Sequence, residues 1–140
     1  MSTIHNIDLK HKEAMTFSVS QNGHTFLVDA DEAVGGHDKG PRPKALILSA
    51  LAGCTAMDVV SLLNKMKVSF DQLSIAVSGE LTEEHPKTYH LVNLIYTIKI
   101  EGEEGKEKMQ KAVDLSQTKY CGVAAMIKSF ATLNYSINYI

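Results

Sequence analysis

The sequence predicts an α+β fold, in which a largely antiparallel sheet accompanies one long, buried central helix. Two observations lead to this class. Several segments alternate apolar and polar residues with a period of two, which is typical of strands with one buried face. The run 44–67 is instead apolar on nearly every side over its first half, which is typical of a buried helix. A chain of 140 residues suits a single domain over 1–140.

Three strands are expected at the start of the chain. Asn22-Gly23 separates the second from the third, and Asn-Gly is the strongest short hairpin signal because both residues accept positive φ. A loop over 34–43 follows, since glycines and prolines interrupt regular structure there. The three strands are predicted over 4–10, 15–20 and 25–29.

The long helix is predicted over 44–67, where Pro43 suits the first turn because its missing N–H is not needed there. The whole order is therefore β-β-β-α-β-β-α-α-β. Most neighbouring strands are joined by hairpins, which favours antiparallel pairing. The remaining strands are predicted over 73–78, 89–101 and 132–140, and the remaining helices over 103–116 and 121–130.

Charge and composition exclude several classes of function. A net charge of −2 argues against a general nucleic-acid binder, and Arg42 is the only arginine. The first residues have neither the basic cluster nor the apolar stretch of a secretory signal. The most apolar run, 45–57, is shorter than the ~20 residues of a membrane span, so we expect a cytoplasmic protein. The sequence has no CxxC pair and no zinc-spaced cluster, so we expect no metal and no cofactor.

The two cysteines, Cys54 and Cys121, lie in different settings. Cys54 lies in the most apolar stretch, after Gly53, whose missing side chain costs about 1 kcal/mol in a helix relative to alanine. That cost predicts a close approach to the helix at Gly53. Cys121 lies at the predicted start of the last helix, where the helix dipole and free N–H groups favour a thiolate.

Such a pair has two interpretations. A thiol peroxidase uses one thiol to attack the peroxide, becoming a sulfenic acid, and a second thiol to resolve it as a disulfide. Alternatively, both thiols are small core hydrophobes, because free cysteine is among the most buried residue types. The spacing of Cys54 and Cys121 alone favours the second interpretation.

Two motifs change this balance. The first is Gly40-Pro41-Arg42-Pro43 followed by an apolar helix that reaches Gly53-Cys54-Thr55-Ala56-Met57. The second is Ala112-Val113-Asp114-Leu115-Ser116 followed by Lys119-Tyr120-Cys121. Together they resemble the OsmC/Ohr family, named for osmotically inducible and organic hydroperoxide resistance proteins, and most closely its YhfA-like branch.

The resemblance implies a thiol-dependent peroxidase that reduces organic or hydrogen peroxides in oxidative stress defence. It also implies an intertwined homodimer and an external dithiol reductant, with no cofactor. Carried over by motif, Cys54 is the thiol that attacks the peroxide and Cys121 is the resolving thiol. The alternative within the same fold is a non-catalytic binding protein, whose two cysteines line an apolar pocket at the interface.

Two further residues are candidates for binding substrate or stabilising the thiolate. Well-studied members of the family use an arginine from the N-terminal segment and a glutamate just after the loop proline. Here Lys44 and Ala45 occupy the glutamate's place, and the N-terminal strands contain no arginine, so Arg42 in the loop is the candidate cation. Asp58 lies four residues after Cys54, on the same helix face, where its charge disfavours a second negative charge. We therefore expect Asp58→Asn to raise the rate of the reaction. The alternative is that Asp58 points to solvent or caps a neighbouring backbone group.

Overall fold

Six strands and three helices account for most of the chain in the computed structural model, which describes residues 2–140. The elements follow the predicted order, so the expected α+β class is confirmed. The chain divides after Ile47 into two compact units, an N-terminal sheet with its following loop and a larger unit over Leu48–Ile140.

The N-terminal sheet is an antiparallel meander, in the order β1-β2-β3. The predicted Asn-Gly hairpin is present, because Gln21 pairs with His24 and leaves two residues in the turn. Asn22 and Gly23 both have positive φ, 50° and 79°, as the turn requires. The strands are β1 (Ile7–Glu13), β2 (Thr16–Gln21) and β3 (His24–Val28).

A buried carboxylate organises the loop that follows β3. Asp29 accepts hydrogen bonds from the Thr16 hydroxyl at 2.7 Å and from the backbone N–H groups of Ala30, His37 and Lys39 at 2.7, 3.3 and 3.2 Å. Burial alone raises the pKa of a carboxyl group, but these four donors outweigh it and lower the pKa of Asp29 to about 2. Asp29 therefore fixes the loop as an ionised acceptor.

This arrangement predicts a pH dependence of stability. Because the pKa of Asp29 is lower in the folded chain, its contribution is complete above the unfolded value of about 3.9 and is lost as pH falls through about 2. We expect the midpoint temperature of thermal unfolding to differ between wild type and Asp29→Asn. The difference is expected to be constant above pH 4 and to narrow towards pH 2. A difference that stays constant down to pH 2 would contradict this role.

The long helix α1 spans Leu46–Lys65 and begins two residues later than predicted. The N–H groups of Leu46 and Ile47 bond to the carbonyls of Pro43 and Lys44, so a tighter three-residue turn precedes the helix. Pro43 therefore lies just before the helix rather than in its first turn. The later elements are β4 (Asp71–Leu81), β5 (Tyr89–Lys99), α2 (Glu103–Leu115), α3 (Gly122–Lys128) and β6 (Thr132–Tyr139).

The second sheet has β5 at its centre, in the order β4-β5-β6. β4 and β5 are antiparallel, with Val77 opposite Leu94, whereas β5 and β6 are parallel, with Leu94 opposite Tyr135. This parallel pair was not predicted, since the sequence favoured antiparallel strands joined by hairpins. A parallel pair needs a crossover connection, and α2 and α3 supply it. The other strand pairs are antiparallel, as expected.

Alternate residues of β5 and one stripe of α1 form the core of the larger unit, with residues from α2 and α3. On α1 the buried residues recur every four positions, at Leu51, Thr55, Val59 and Leu63. The opposite face is open in the single chain, and the Met57 side chain is 76% exposed. The close approach predicted at Gly53 is absent from the described residues, since nothing lies within 4 Å of a Cβ placed there.

By length and composition, α1 is apolar enough to cross a membrane, with a mean hydropathy of 2.0. The core helix of a soluble protein meets the same test, so this is weak evidence for a span. One polar group of α1, the Thr55 hydroxyl, is buried in hydrogen bonds to Tyr96 and Ser116.

Candidate functional site

The structure brings three of the four predicted site residues together in the larger unit. The sulfurs of Cys54 and Cys121 and a carboxylate oxygen of Asp58 all lie within 4.8 Å of one another. Cys54 and Asp58 are one turn apart on α1, so they project from the same face. Cys121 comes from the segment between α2 and α3. Two thiols and one carboxylate therefore form a single cluster.

A π-helical turn over Ser116–Tyr120 places Cys121 in this cluster. The Cys121 N–H bonds to the Ser116 carbonyl at 2.8 Å, five residues back, which is the wide π spacing. Cys121 then caps α3, and its sulfur accepts the Ala124 N–H at 3.4 Å. This turn was not predictable from the sequence, because one wide turn leaves no periodic signal.

Burial sets the ionisation of Cys121. Removal from water raises the pKa of this thiol to about 11, and the neighbouring Cys54 thiol and Asp58 carboxylate add to the increase. The Ala124 N–H opposes the shift but does not offset it. The expectation that the helix start favours a Cys121 thiolate is therefore wrong, because desolvation exceeds the gain from the cap.

The two thiols also differ in accessibility. Cys54 is half-buried, whereas only 3% of Cys121 is exposed. The sequence suggested the reverse, with Cys54 as the deeper thiol, because its helix is apolar on every side. Within one chain α1 buries only the stripe through Thr55, and Cys54 lies at the edge of that stripe. A small solute therefore has more access to Cys54 than to Cys121.

A buried chain of hydrogen bonds ends at the carboxylate of the cluster. Ser116 Oγ donates to Asp58 Oδ2 at 2.9 Å and lies 2.7 Å from Thr55 Oγ1. Thr55 Oγ1 lies in turn 2.7 Å from the Tyr96 hydroxyl. Gln117 Nε2 donates to both Thr55 and Tyr96, at 3.2 and 2.9 Å. Apart from the half-buried Asp58, all these side chains are buried.

None of the four buried members was identified from the sequence as functional. Tyr96 lies at strand spacing, which indicates packing, and Thr55 is a polar interruption of the apolar run 45–57. Burial raises the pKa of the Tyr96 hydroxyl. The hydroxyl therefore stays protonated and can donate a hydrogen bond. Gln117 Oε1 is buried without a partner among residues 2–140.

A small cleft lies beside Asp58, with a volume of about 160 Å³. Its lining combines apolar surface from Leu62 and Tyr120 with the polar groups of Ser61 and Lys65. The cleft gives a small molecule access to the Asp58 side of the cluster.

Arg42, the fourth predicted residue, lies in the N-terminal unit. Its guanidinium donates to Asp38 at 2.8 Å and to the Gly40 carbonyl at 3.0 Å, and it lies 3.8 Å from Asp31. These contacts order its own loop. Its assignment to the thiolate stays a prediction.

The cluster has the donor set of a soft-metal site. Two sulfurs and one carboxylate oxygen match the ligand types of zinc. The sequence predicts no metal because these ligands are not closely spaced along the chain: they come from α1 and from a distant segment. A metal held by both sulfurs would prevent their oxidation, so a thiol assay of this protein needs a chelator.

The chain is similar to known proteins in sequence and in fold. The family model described as OsmC-like protein matches residues 36–136. Protein YhfA from Escherichia coli (strain K12) is 34% identical over 130 residues, which cover 91% of this chain and 92% of YhfA.

Two solved structures share the fold. An OsmC-like protein from Mycoplasma pneumoniae aligns with a TM-score of 0.84 at 16% identity, covering 100% of this chain and 99% of that one. An organic hydroperoxide resistance protein from Elizabethkingia anophelis aligns with a TM-score of 0.70 at 14% identity, covering 100% of both chains. At such identities these likenesses establish the fold alone.

Proposed function

Because the chain belongs to the OsmC-like protein family, as its motifs predicted, we propose that it is a thiol-dependent peroxidase acting in oxidative stress defence. The observation that carries the proposal is the cluster in which Cys54, Cys121 and Asp58 lie within 4.8 Å of one another. The hydroperoxide-resistance name of the Elizabethkingia protein supports a peroxide as the substrate.

The reaction has two steps at the cluster. The Cys54 thiolate attacks the terminal oxygen of the peroxide; the O–O bond breaks, an alcohol or water leaves with a proton, and Cys54 becomes a sulfenic acid. Cys121 then attacks the Cys54 sulfur, forming the disulfide and releasing water. An external dithiol takes over the disulfide by exchange and restores both thiols.

The difference between the two thiols supports this order. Cys54 is half-buried and reachable, whereas Cys121 is buried and its pKa of about 11 keeps it protonated at neutral pH. A protonated, enclosed thiol is a poor first nucleophile, since the thiolate is the reactive form. Because its sulfur lies within 4.8 Å of the Cys54 sulfur, Cys121 is instead placed to attack that neighbour once it is oxidised.

The cleft beside Asp58 bears on the choice of peroxide. Leu62 and Tyr120 give it apolar surface, and the helix around Cys54 is apolar. An organic peroxide of modest size gains from burying its carbon chain there, whereas hydrogen peroxide does not. We therefore expect organic peroxides to react with the higher kcat/KM.

We also propose that the protein is a homodimer in the cytoplasm. Large apolar side chains are exposed in the single chain, including Met57 (76%) on α1 and Met126 (61%) on α3, with Phe130 (50%) just beyond α3. Monomeric soluble proteins seldom expose such surface without a partner. A second copy covering α1 would also supply the close approach that Gly53 suggests. We expect an interface well above ~1,000 Å².

Met57→Asp tests the dimer. A charge placed in an apolar interface without a counter-charge weakens association by about 100-fold or more. We expect sedimentation velocity at micromolar concentration to show a wild-type dimer and a variant that is largely monomeric. Lys111→Asp, at an exposed position of α2, is the control and keeps the wild-type distribution. A monomeric wild type would overturn the dimer.

Peroxide consumption with a dithiol reductant tests the function itself. The wild-type protein, assayed with a chelator, is expected to consume an organic peroxide in proportion to enzyme concentration and over many turnovers. The alternative is a binding protein of the same fold, which would consume no more peroxide than the dithiol alone. That second outcome would remove the peroxidase proposal.

A further inference from the structure

We propose that the reduced cluster of Cys54, Asp58 and Cys121 binds one zinc ion. The arrangement of the donor atoms carries this inference, whereas its effect on peroxide reduction rests on the peroxidase function proposed above. It differs from the sequence-based expectation of no metal, because the three ligands meet only in the folded chain.

The three donors are of the types that zinc binds in proteins. Zinc takes cysteine sulfur, histidine nitrogen and carboxylate oxygen, almost always as four ligands in a tetrahedron. Two soft sulfurs beside one hard oxygen suit zinc better than magnesium or calcium, which take oxygen ligands. With three ligands from the protein, a water molecule completes the tetrahedron, as it does in zinc enzymes.

The donor atoms are already close to the separations that zinc requires. With zinc–sulfur bonds of about 2.3 Å and a zinc–oxygen bond of about 2.1 Å, a tetrahedron places its ligand atoms roughly 3.5–3.8 Å apart. Here the two sulfurs and the carboxylate oxygen lie within 4.8 Å of one another. Each pair therefore closes by roughly 1 Å at most around the ion. Cys54 and Asp58 are half-buried, which leaves their side chains room to rotate by this amount.

The backbone presents the ligands in a way that known zinc sites share. Cys54 and Asp58 lie four residues apart on α1, and this i, i+4 spacing places two zinc ligands on one helix face in metalloproteases. Cys121 supplies the third ligand from the end of a different segment, before α3. Two ligands are therefore held at a fixed separation by one helix, and the third closes the site from outside it.

Hydrogen bonds from neighbouring groups hold two of the ligands. Ser116 Oγ donates to Asp58 Oδ2 at 2.9 Å, and the Ala124 N–H donates to the Cys121 sulfur at 3.4 Å. Ser116 Oγ lies in turn 2.7 Å from the buried Thr55 hydroxyl. Groups of this kind orient metal ligands and offset part of their charge. The cluster therefore has the supporting contacts that a metal site needs.

The cleft beside Asp58 gives an ion access and a counter-charge. Its volume of about 160 Å³ holds an ion with a few waters, and Asp58 forms part of its wall. Two thiolates and one carboxylate carry one negative charge more than the zinc ion neutralises. The Lys65 ammonium lines the same cleft and offsets that excess.

Zinc replaces the protons of the two thiols, and these protons pass to solvent. A thiol that coordinates zinc is deprotonated outright, because the ion is the largest local charge in its site. The protonated state of Cys121 in the metal-free protein is therefore compatible with zinc binding, which releases protons at such sites in general.

Zinc and peroxide compete for the same two sulfurs. The thiolate is both the nucleophile and the metal ligand, so a sulfur bound to zinc is withheld from the peroxide. When a peroxide does oxidise the pair, two electrons pass from the sulfurs to the O–O bond. The S–S bond forms, an alcohol and a water leave with two protons from solvent, and the ion is released. The reduced cluster thus stores zinc that oxidation sets free.

Metal titration of the reduced, oxygen-free protein tests the site. Zn²⁺ is titrated against a chromophoric zinc chelator, and Co²⁺ is titrated in parallel because its thiolate charge-transfer band reports sulfur ligation. We expect wild type to bind one ion per chain and to show the cobalt band. Cys54→Ser is expected to lower the affinity by about 100-fold or more and to weaken the band. A wild type that binds no more tightly than Cys54→Ser would overturn the site.

Matched carboxylate variants make the result specific. Asp58→Asn replaces a ligand by a neutral amide and is expected to lower zinc affinity by about 10–100-fold, with the cobalt band retained. Asp71→Asn makes the same chemical change at an exposed position outside the cluster and is expected to match wild type. Circular dichroism of the metal-free variants checks folding. Equal affinities in Asp58→Asn and wild type would overturn the three-ligand site.

The outcomes also separate this inference from the proposed function, because zinc binding is measured without peroxide. If wild type reduces organic peroxide in a chelator but binds no zinc, the zinc site fails and the peroxidase stands. If it binds zinc but reduces no peroxide in a chelator, the reverse holds.

Where both activities are present, their competition is tested directly. Zn²⁺ at about ten times its dissociation constant leaves roughly a tenth of the sites free, so disulfide formation is expected to slow about tenfold. An equal rate with and without bound zinc would overturn the competition.

Discussion

Cys54→Ser is expected to lose peroxide reduction entirely, to the level of the dithiol alone. Serine cannot form a sulfenic acid, so the oxygen has no acceptor. Loss of a covalent nucleophile lowers turnover by several orders of magnitude in other enzymes. Serine differs from cysteine by one atom and Cys54 is half-buried, so the fold is expected to remain intact. The measurement is peroxide consumption at fixed dithiol, with circular dichroism to check folding.

Cys121→Ser provides the matched comparison, because it removes the other sulfur of the same cluster. This variant is expected to form the Cys54 sulfenic acid once, at nearly the wild-type rate, and then to stop recycling through an internal disulfide. Dimedone labels Cys54 in this variant and not in wild type. If Cys54→Ser retains full activity, the peroxidase account fails and the binding-protein alternative takes its place.

Thr55→Val is expected to produce the largest loss of stability among conservative changes near the site. Valine has nearly the same shape but removes the hydroxyl that joins Tyr96, Ser116 and Gln117, all of them buried. Buried polar groups that lose a partner cost about 1–3 kcal/mol each. Since each of the three keeps one other bond, we expect a total of roughly 2–4 kcal/mol in the free energy of unfolding.

Thr55→Ser is the control, because it keeps the hydroxyl and removes only the methyl group. It is expected to cost about 1 kcal/mol. Urea denaturation at one fixed protein concentration measures both variants, since an oligomer's apparent stability depends on concentration. If valine proves no more costly than serine, the buried chain does not contribute to stability as described.

Local pattern was enough to predict most of this fold from the sequence. The Asn-Gly hairpin, the alternation of β5 and the long apolar helix each have a period that one sequence displays. The parallel pairing of β5 with β6 was not predicted, because antiparallel and parallel strands show the same alternation. α1 begins later than predicted because a short turn follows Pro43, and a turn of this length is too short to show a periodic pattern.

Of the site, only the identities of the residues that could carry chemistry were predictable from the sequence. Cys54, Asp58 and Cys121 were identified from motifs and helix spacing, and the structure places them together. Their environments were not predictable. The π-helical turn that buries Cys121 depends on tertiary packing, and so does the meeting of Thr55, Tyr96 and Ser116 from three distant segments. Burial therefore disfavours the thiolate that the sequence predicted for Cys121, although Cys121 remains a candidate site residue.

The central claim is that Cys54 and Cys121 form one reversible disulfide when the protein meets a peroxide. Intact mass and peptide mapping after one equivalent of organic peroxide, with a chelator present, test it directly. The account predicts the loss of two hydrogens, a cross-linked pair of peptides containing Cys54 and Cys121, and full return of both thiols after dithiol treatment. Unchanged mass with two alkylatable thiols, while the peroxide remains unconsumed, would contradict it.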